Sequence, residues 1–221
     1  MKSLRYCIFL LISVSCLGGI KPNHTDTSTK RLFEQYVSAF EKQGLPFKME
    51  RKAVFNMMNN ADVFFEIKDS LRIFIPEELI ENHPGSKFRS LCMLPEHNEI
   101  VLVLIFEYYI DEYDNEVVKN YMVSYGKSGV VLDYQELAGV KFDGWEAYLE
   151  INEDYTVKRK LYQFRVNNDK EKMQYMHLVG SCFEYTNSNA GLIEETQKTT
   201  REGYFQLDRS GYNFIEPIKE D

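Results

Sequence analysis

Histidine is scarce in this sequence: His24, His83, His97 and His177 are the only four in 221 residues. His83-Pro84 and His97-Asn98 sit beside turn signals. His24 falls in a polar N-terminal stretch and His177 in a strand-like run. No two have the i, i+4 spacing that places two ligands on one helix face, so no metal site and no cofactor is expected. A serine–histidine or histidine–cysteine site can assemble from distant segments, but nothing in the sequence marks one. The 34 Asp and Glu residues single out no pair for acid–base work. No catalytic residue is assigned.

Basic clusters are missing too. The net charge is −8, and Lys158-Arg159-Lys160 is the one cationic run, inside a strand-like segment. A nucleic-acid partner needs a cationic face against phosphates, so that class is excluded. Long apolar runs are also absent. Tyr6–Val14 has nine residues, against the roughly 20 that span a bilayer. With Lys2 and Arg5 before it and small residues after it, this run reads as an export signal over residues 1–15.

Cysteine is limited to four positions. Cys7 lies inside the signal. Ser13-Val14-Ser15-Cys16 resembles the lipobox of bacterial lipoproteins, with Ser13 where leucine is usual, and Cys16 is the candidate lipidation site. The other reading of Ser13-Val14-Ser15 is an ordinary signal-peptidase site, which would release a soluble secreted protein. Residues 16–30 read as a flexible tether. Asn23-His24-Thr25 matches a glycosylation acceptor, relevant only in a eukaryotic secretory route. Cys92 and Cys182 remain as candidates for a disulfide in an oxidising compartment, or as buried free thiols.

What is abundant is aromatic side chain: 15 Tyr and 15 Phe, with 44% hydrophobic residues overall. That composition argues for a packed, strand-rich protein and against disorder. Residues 31–221 read as one mainly β domain, opened by a helix. In Arg31–Gln43, Leu32, Phe33, Tyr36, Val37 and Phe40 share one helical face. Residues 47–75 have no clean period, although Val63–Pro76 reads as strand broken near Lys68-Asp69-Ser70. Pro76 opens a short helix through His83.

From residue 88 onwards the pattern is strands. In Glu99–Tyr109, Ile100, Leu102, Leu104 and Phe106 point one way and Val101, Val103 and Ile105 the other. Both faces are apolar, so both need a cover, and the N-terminal helix is the candidate for one. Val117–Tyr125 and Val130–Leu137 flank the turn Gly126-Lys127-Ser128-Gly129. Trp145, Ala147, Leu149 and Ile151 share a face that reads as core, while Glu146, Tyr148 and Glu150 share the other. Tyr155–Val166, Met173–Tyr185, Gly203–Leu207 and Tyr212–Ile215 complete an antiparallel, meander-like sheet. Tyr121, Tyr148, Tyr175 and Tyr204 recur at steps of 27, 27 and 29, which suits successive hairpins and, as the alternative, a propeller-like repeat.

Three motifs invite over-reading. Ser124-Tyr125-Gly126-Lys127 and Lys127-Ser128-Gly129 imitate motifs of penicillin-interacting serine enzymes, but they overlap in one hairpin turn and share one lysine. Gly126-Lys127-Ser128 lacks the earlier glycine of a phosphate loop, since position 121 is Tyr121. Asp111–Glu116 is oxygen-rich but has Glu116 where a calcium loop of the EF-hand type needs glycine.

Taken with Gly44-Leu45-Pro46-Phe47, YMVSYGKSGVVLDYQELAG and GYFQLDRSGYNFIE, the order of these segments resembles a set of uncharacterised exported proteins and lipoproteins of the Bacteroidetes type. That family has no assigned activity or site. The resemblance implies a bacterial envelope address, in the periplasm or at the outer membrane, and a mainly β fold. The leading expectation is a non-enzymatic binding module, held to the membrane by lipid on Cys16, whose partner is an envelope protein or a glycan. The alternatives are a hydrolase acting on glycans and a structural subunit of an envelope assembly.

Overall fold

A computed structural model describes residues 27–141, 144–188, 191–208 and 211–218. The signal segment, Cys16 and the tether through residue 26 lie outside the described residues. The first helix, α1, spans Thr27–Ser38, so it starts inside the stretch expected to be tether. It ends before Gln43 because Glu41–Lys42, strand β1, pairs in parallel with Cys92 and Met93. Strand β2 is Phe47–Met49 and helix α2 is Arg51–Asn59.

The expected strand at 63–75 is not formed. Ala61–Val63 and Asp69–Phe74 are short 3-10 turns. Asp69 adopts φ 53°, a left-handed conformation that ends any extended run. Helix α3, Glu77–Asn82, follows Pro76 as its sequence indicates.

The rest of the chain is a meander. The strands are β3 (Lys87–Met93), β4 (Ile100–Ile110), β5 (Glu116–Gly126), β6 (Val131–Lys141) and β7 (Trp145–Ile151). They continue as β8 (Val157–Phe164), β9 (Met176–Asn187), β10 (Ile193–Asp208) and β11 (Gly211–Pro217). They lie in that order in an 11-stranded sheet, with β1 beside β3 and β2 beside β7. The mainly β, antiparallel meander is the observed fold. The propeller-like alternative is not, since each strand from β3 to β11 neighbours the next in one sheet.

Strand β4 shows why the sheet needs two covers. Val103 and Ile105 pack with Phe33, Tyr36 and Phe40 from α1 and its end, and with Phe74 and Leu79. Leu102, Leu104 and Phe106 pack with Val54 and Met57 of α2. The N-terminal helix therefore covers one face and α2 the other. Burying a side chain such as Phe33 or Val54 contributes about 1.5–3 kcal/mol. A third, smaller cluster of Leu178, Phe205 and Tyr212 lies in the C-terminal strands.

One junction positions the site below. Strand β6 pairs with β7 only through Gly139–Lys141, opposite Trp145–Ala147. Beyond that, β2 takes the vacated edge, with Phe47 opposite Ile151 and Met49 opposite Leu149. Gly139 makes the parting possible: its φ is 154°, and a Cβ there would stand 2.3 Å from the Val118 carbonyl oxygen. Helix α2 starts two residues after β2 and so lies across the outer residues of β7.

Candidate functional site

Strand alternation turns Glu146, Tyr148 and Glu150 to one face of β7 and Ala147, Leu149 and Ile151 to the other. The sequence shows the same split, but Glu146 is not solvated: its side chain is 4% exposed. Arg51 of α2 covers it with two parallel bonds, Nε to Oε2 at 2.9 Å and Nη2 to Oε1 at 3.1 Å. The Tyr148 hydroxyl also donates to Oε2. The bond to Glu146 raises the Arg51 pKa further, so the guanidinium is a permanent cation. Burial and then its hydrogen bond to Glu146 push the Tyr148 phenol upward, and burial and then the Glu146 charge raise Tyr212.

Above this floor lies a cleft of about 780 Å³ between α2, β7, β8 and the start of β11. Three tyrosines form one wall. Tyr162 lies 6.0 Å from Tyr148 and 4.7 Å from Tyr212, centroid to centroid. On the other side, the Arg51 guanidinium sits 4.4 Å over the Phe55 ring. Asn56, Asn59 and Asn213 supply amides at the cleft.

The cleft's charges are mostly neutralised. Lys48 pairs with Glu150 at 2.9 Å and Lys158 with Glu184 at 3.3 Å. Lys52 and Lys160 also line the cleft, and no ion pair to either is present among the described residues. The Lys48 ammonium lowers the Glu150 pKa, the opposite of what a general acid requires. Glu146 is held by Arg51. The cleft thus offers aromatic faces and hydrogen-bonding groups, and two of its carboxylates, Glu146 and Glu150, are engaged by cations.

The residues singled out in the sequence fall elsewhere. Cys92 and Cys182 are free thiols. Cys92 is buried in the core under α2. Cys182 alternates with Phe183 on β9, and Phe183 joins that same core, so Cys182 points to the opposite face and the two thiols, candidates for a disulfide, are apart. Burial pushes the Cys92 thiol up to about 12. Trp145 is half-buried, its ring against Gly139, while Ala147, Leu149 and Ile151 are core.

The over-read motifs resolve into structural roles. Ser124 Oγ donates to the Asp133 and Gly191 carbonyls, and Lys127 pairs with Glu96 and Glu99. In the Asp111 loop, Oδ1 accepts the Tyr113 and Asn115 N–H groups at 2.9 Å, and Oδ2 faces Lys141 Nζ at 2.7 Å. Both oxygens of Asp111 are therefore engaged by this chain's own N–H and ammonium groups. Among the described residues no group of three or more His, Cys, Asp or Glu is placed to hold a metal.

Arg51, Tyr162 and Tyr212 are the cleft residues that sequence reasoning missed. Their association depends on β2 docking beside β7, and no local spacing reports that. No family model, no curated protein and no solved structure matches the chain.

Proposed function

We propose that this is an exported, lipid-anchored envelope protein that binds carbohydrate in the cleft between α2 and β11. The observation that carries the binding reading is the half-buried pair Tyr148 and Tyr162, backed by the buried Tyr212 and edged by amides and by Lys52 and Lys160, to which no ion pair is present among the described residues. Tyrosine rings stack on the apolar faces of sugars, and amides bond their hydroxyls. Neither property requires the flat, apolar surface typical of a protein interface core. The envelope address rests on the signal-like start, on Ser13-Val14-Ser15-Cys16 and on the resemblance to exported proteins.

Binding is tested by affinity electrophoresis of the purified protein through gels containing soluble polysaccharides, followed by calorimetry on those that retard it. Tyr148→Ala and the exposed Asn213→Ala are each expected to weaken binding about tenfold, which corresponds to ~1.4 kcal/mol. Wild-type protein that no polysaccharide retards, but that captures an extended peptide, overturns the carbohydrate reading in favour of a protein ligand.

A further inference from the structure

A second groove, of about 630 Å³, lies away from the cleft, beside the turn that joins α3 to β3. The turn is His83-Pro84-Gly85-Ser86, closed by the Ser86 N–H donating to the His83 carbonyl at 3.1 Å. Proline in its second position and Gly85 at φ 93° in its third are what a type II turn requires. The turn sets His83 on the groove wall, with its side chain 29% exposed.

The imidazole is fixed in place. Its ring stacks on Tyr109, with centroids 4.0 Å apart. Its Nδ1 lies 3.0 Å from Glu107 Oε1, and the other oxygen of Glu107 accepts the Tyr121 hydroxyl at 2.9 Å. The Glu107 side chain is 0% exposed. Glu107 and Tyr121 stand on the adjacent central strands β4 and β5, so the support is rigid. Where Glu107 Oε1 accepts from Nδ1, the neutral ring keeps its lone pair on Nε2. No partner holds Nε2 among the described residues, and the side chain is 29% exposed.

Other polar groups line the groove, Glu112 and Tyr113 among them. Lys87 follows the turn, and no ion pair to it is present among the described residues; Lys141, by contrast, is engaged by Asp111. The Ser86 hydroxyl is sealed from solvent, which removes it as a nucleophile and leaves water in that role.

We propose that this groove hydrolyses small carboxylic esters, with His83 as general base and Lys87 facing the developing oxyanion. Nε2 takes a proton from water as the water oxygen forms a bond to the acyl carbon. The tetrahedral intermediate collapses with cleavage of the bond to the alkoxy oxygen. That oxygen takes the proton back from Nε2 and leaves as an alcohol. The products are the alcohol and the carboxylic acid, and the imidazole returns neutral. Nothing is oxidised or reduced. Glu107 and Tyr121 are positioning residues, and the activity is independent of carbohydrate binding in the cleft.

The test is p-nitrophenyl acetate hydrolysis by the purified full chain. Saturable turnover is expected, with kcat/KM falling about 100-fold in His83→Gln. His97 is the control, because it also lies against a tyrosine ring, 4.3 Å from Tyr155, but without a buried carboxylate. His97→Gln is expected to retain wild-type turnover. Tyr121→Phe is expected to lower kcat at unchanged KM, a split that a merely structural role does not produce, while Glu107→Gln, if folded, does the same more strongly. Turnover in His83→Gln equal to wild type, or a rate that never saturates and falls equally in both histidine variants, overturns the proposal.

Discussion

Glu107 and Glu146 are both strand carboxylates withdrawn from water, and their companions separate their roles. Glu146 meets a guanidinium in a two-bond fork, a permanent cation that leaves it no chemistry. Glu107 meets an imidazole, which can exchange a proton, and the Tyr121 phenol, which burial and the carboxylate hold protonated. Breaking the first pair leaves a buried carboxylate without its cation. A fully buried pair would lose about 3–5 kcal/mol, but Arg51 is 41% exposed and water screens part of that. Arg51→Met is therefore expected to cost about 2 kcal/mol. Adding Glu146→Gln should recover part of the loss, and urea unfolding of the single and double variants measures both. The face shared by Glu146 and Tyr148 is legible in the sequence, because alternation is local. Its burial is not, because it depends on Arg51, 95 residues away.

At the scale of elements, legibility follows the hydrophobic period. Strand β7 matches its sequence reading residue for residue, and β4 announces by its two apolar faces that something must cover each. The first half of β10 is invisible to that reading. Glu194–Glu202 are exposed on both faces, so no alternation marks them, and they are strand only because β9 supplies a ladder. The opposite error occurs at 63–75, where Ile67, Phe74 and Ile75 are buried as plugs between the sheet and α1 rather than as a strand. A hydroxyl chain fixes that packing: Tyr36 Oη lies 3.0 Å from Tyr125 Oη, which donates to the Phe74 carbonyl at 2.6 Å. Tyr36→Phe removes only the outer link and should cost about 1 kcal/mol. Tyr125→Phe strips the Phe74 carbonyl of its donor as well and should cost about 2 kcal/mol. Denaturation midpoints that rank the two the other way would contradict this reading of the chain of bonds.

For the molecule as a whole, the two candidate sites lie in different parts of one sheet, the proposed carbohydrate cleft on the C-terminal strands and the His83 groove beside β4. The proposed lipid on Cys16 would join the membrane to α1, which packs on the same core face as α3, the helix leading into the His83 turn. Intact-mass analysis of protein from native-type membranes is expected to find a mature chain beginning at a diacylated Cys16. A mass matching an unmodified start near residues 16–20 would instead make the protein soluble and secreted.

The meander also leaves one edge open. Strand β11 pairs with β10 only from Gly203 to Asp208, so among the described residues no strand borders Ile193–Glu202 on that side. A bare ladder edge is a seed for annealing between identical chains, and a two-dimensional film of tethered copies would multiply such encounters. This edge is spoiled as a template. Its register slips between Glu195 and Gln197, and Glu194, Lys198, Arg201 and Glu202 interrupt it with charges of both signs. Charges of both signs along the arm oppose its pairing with an identical edge.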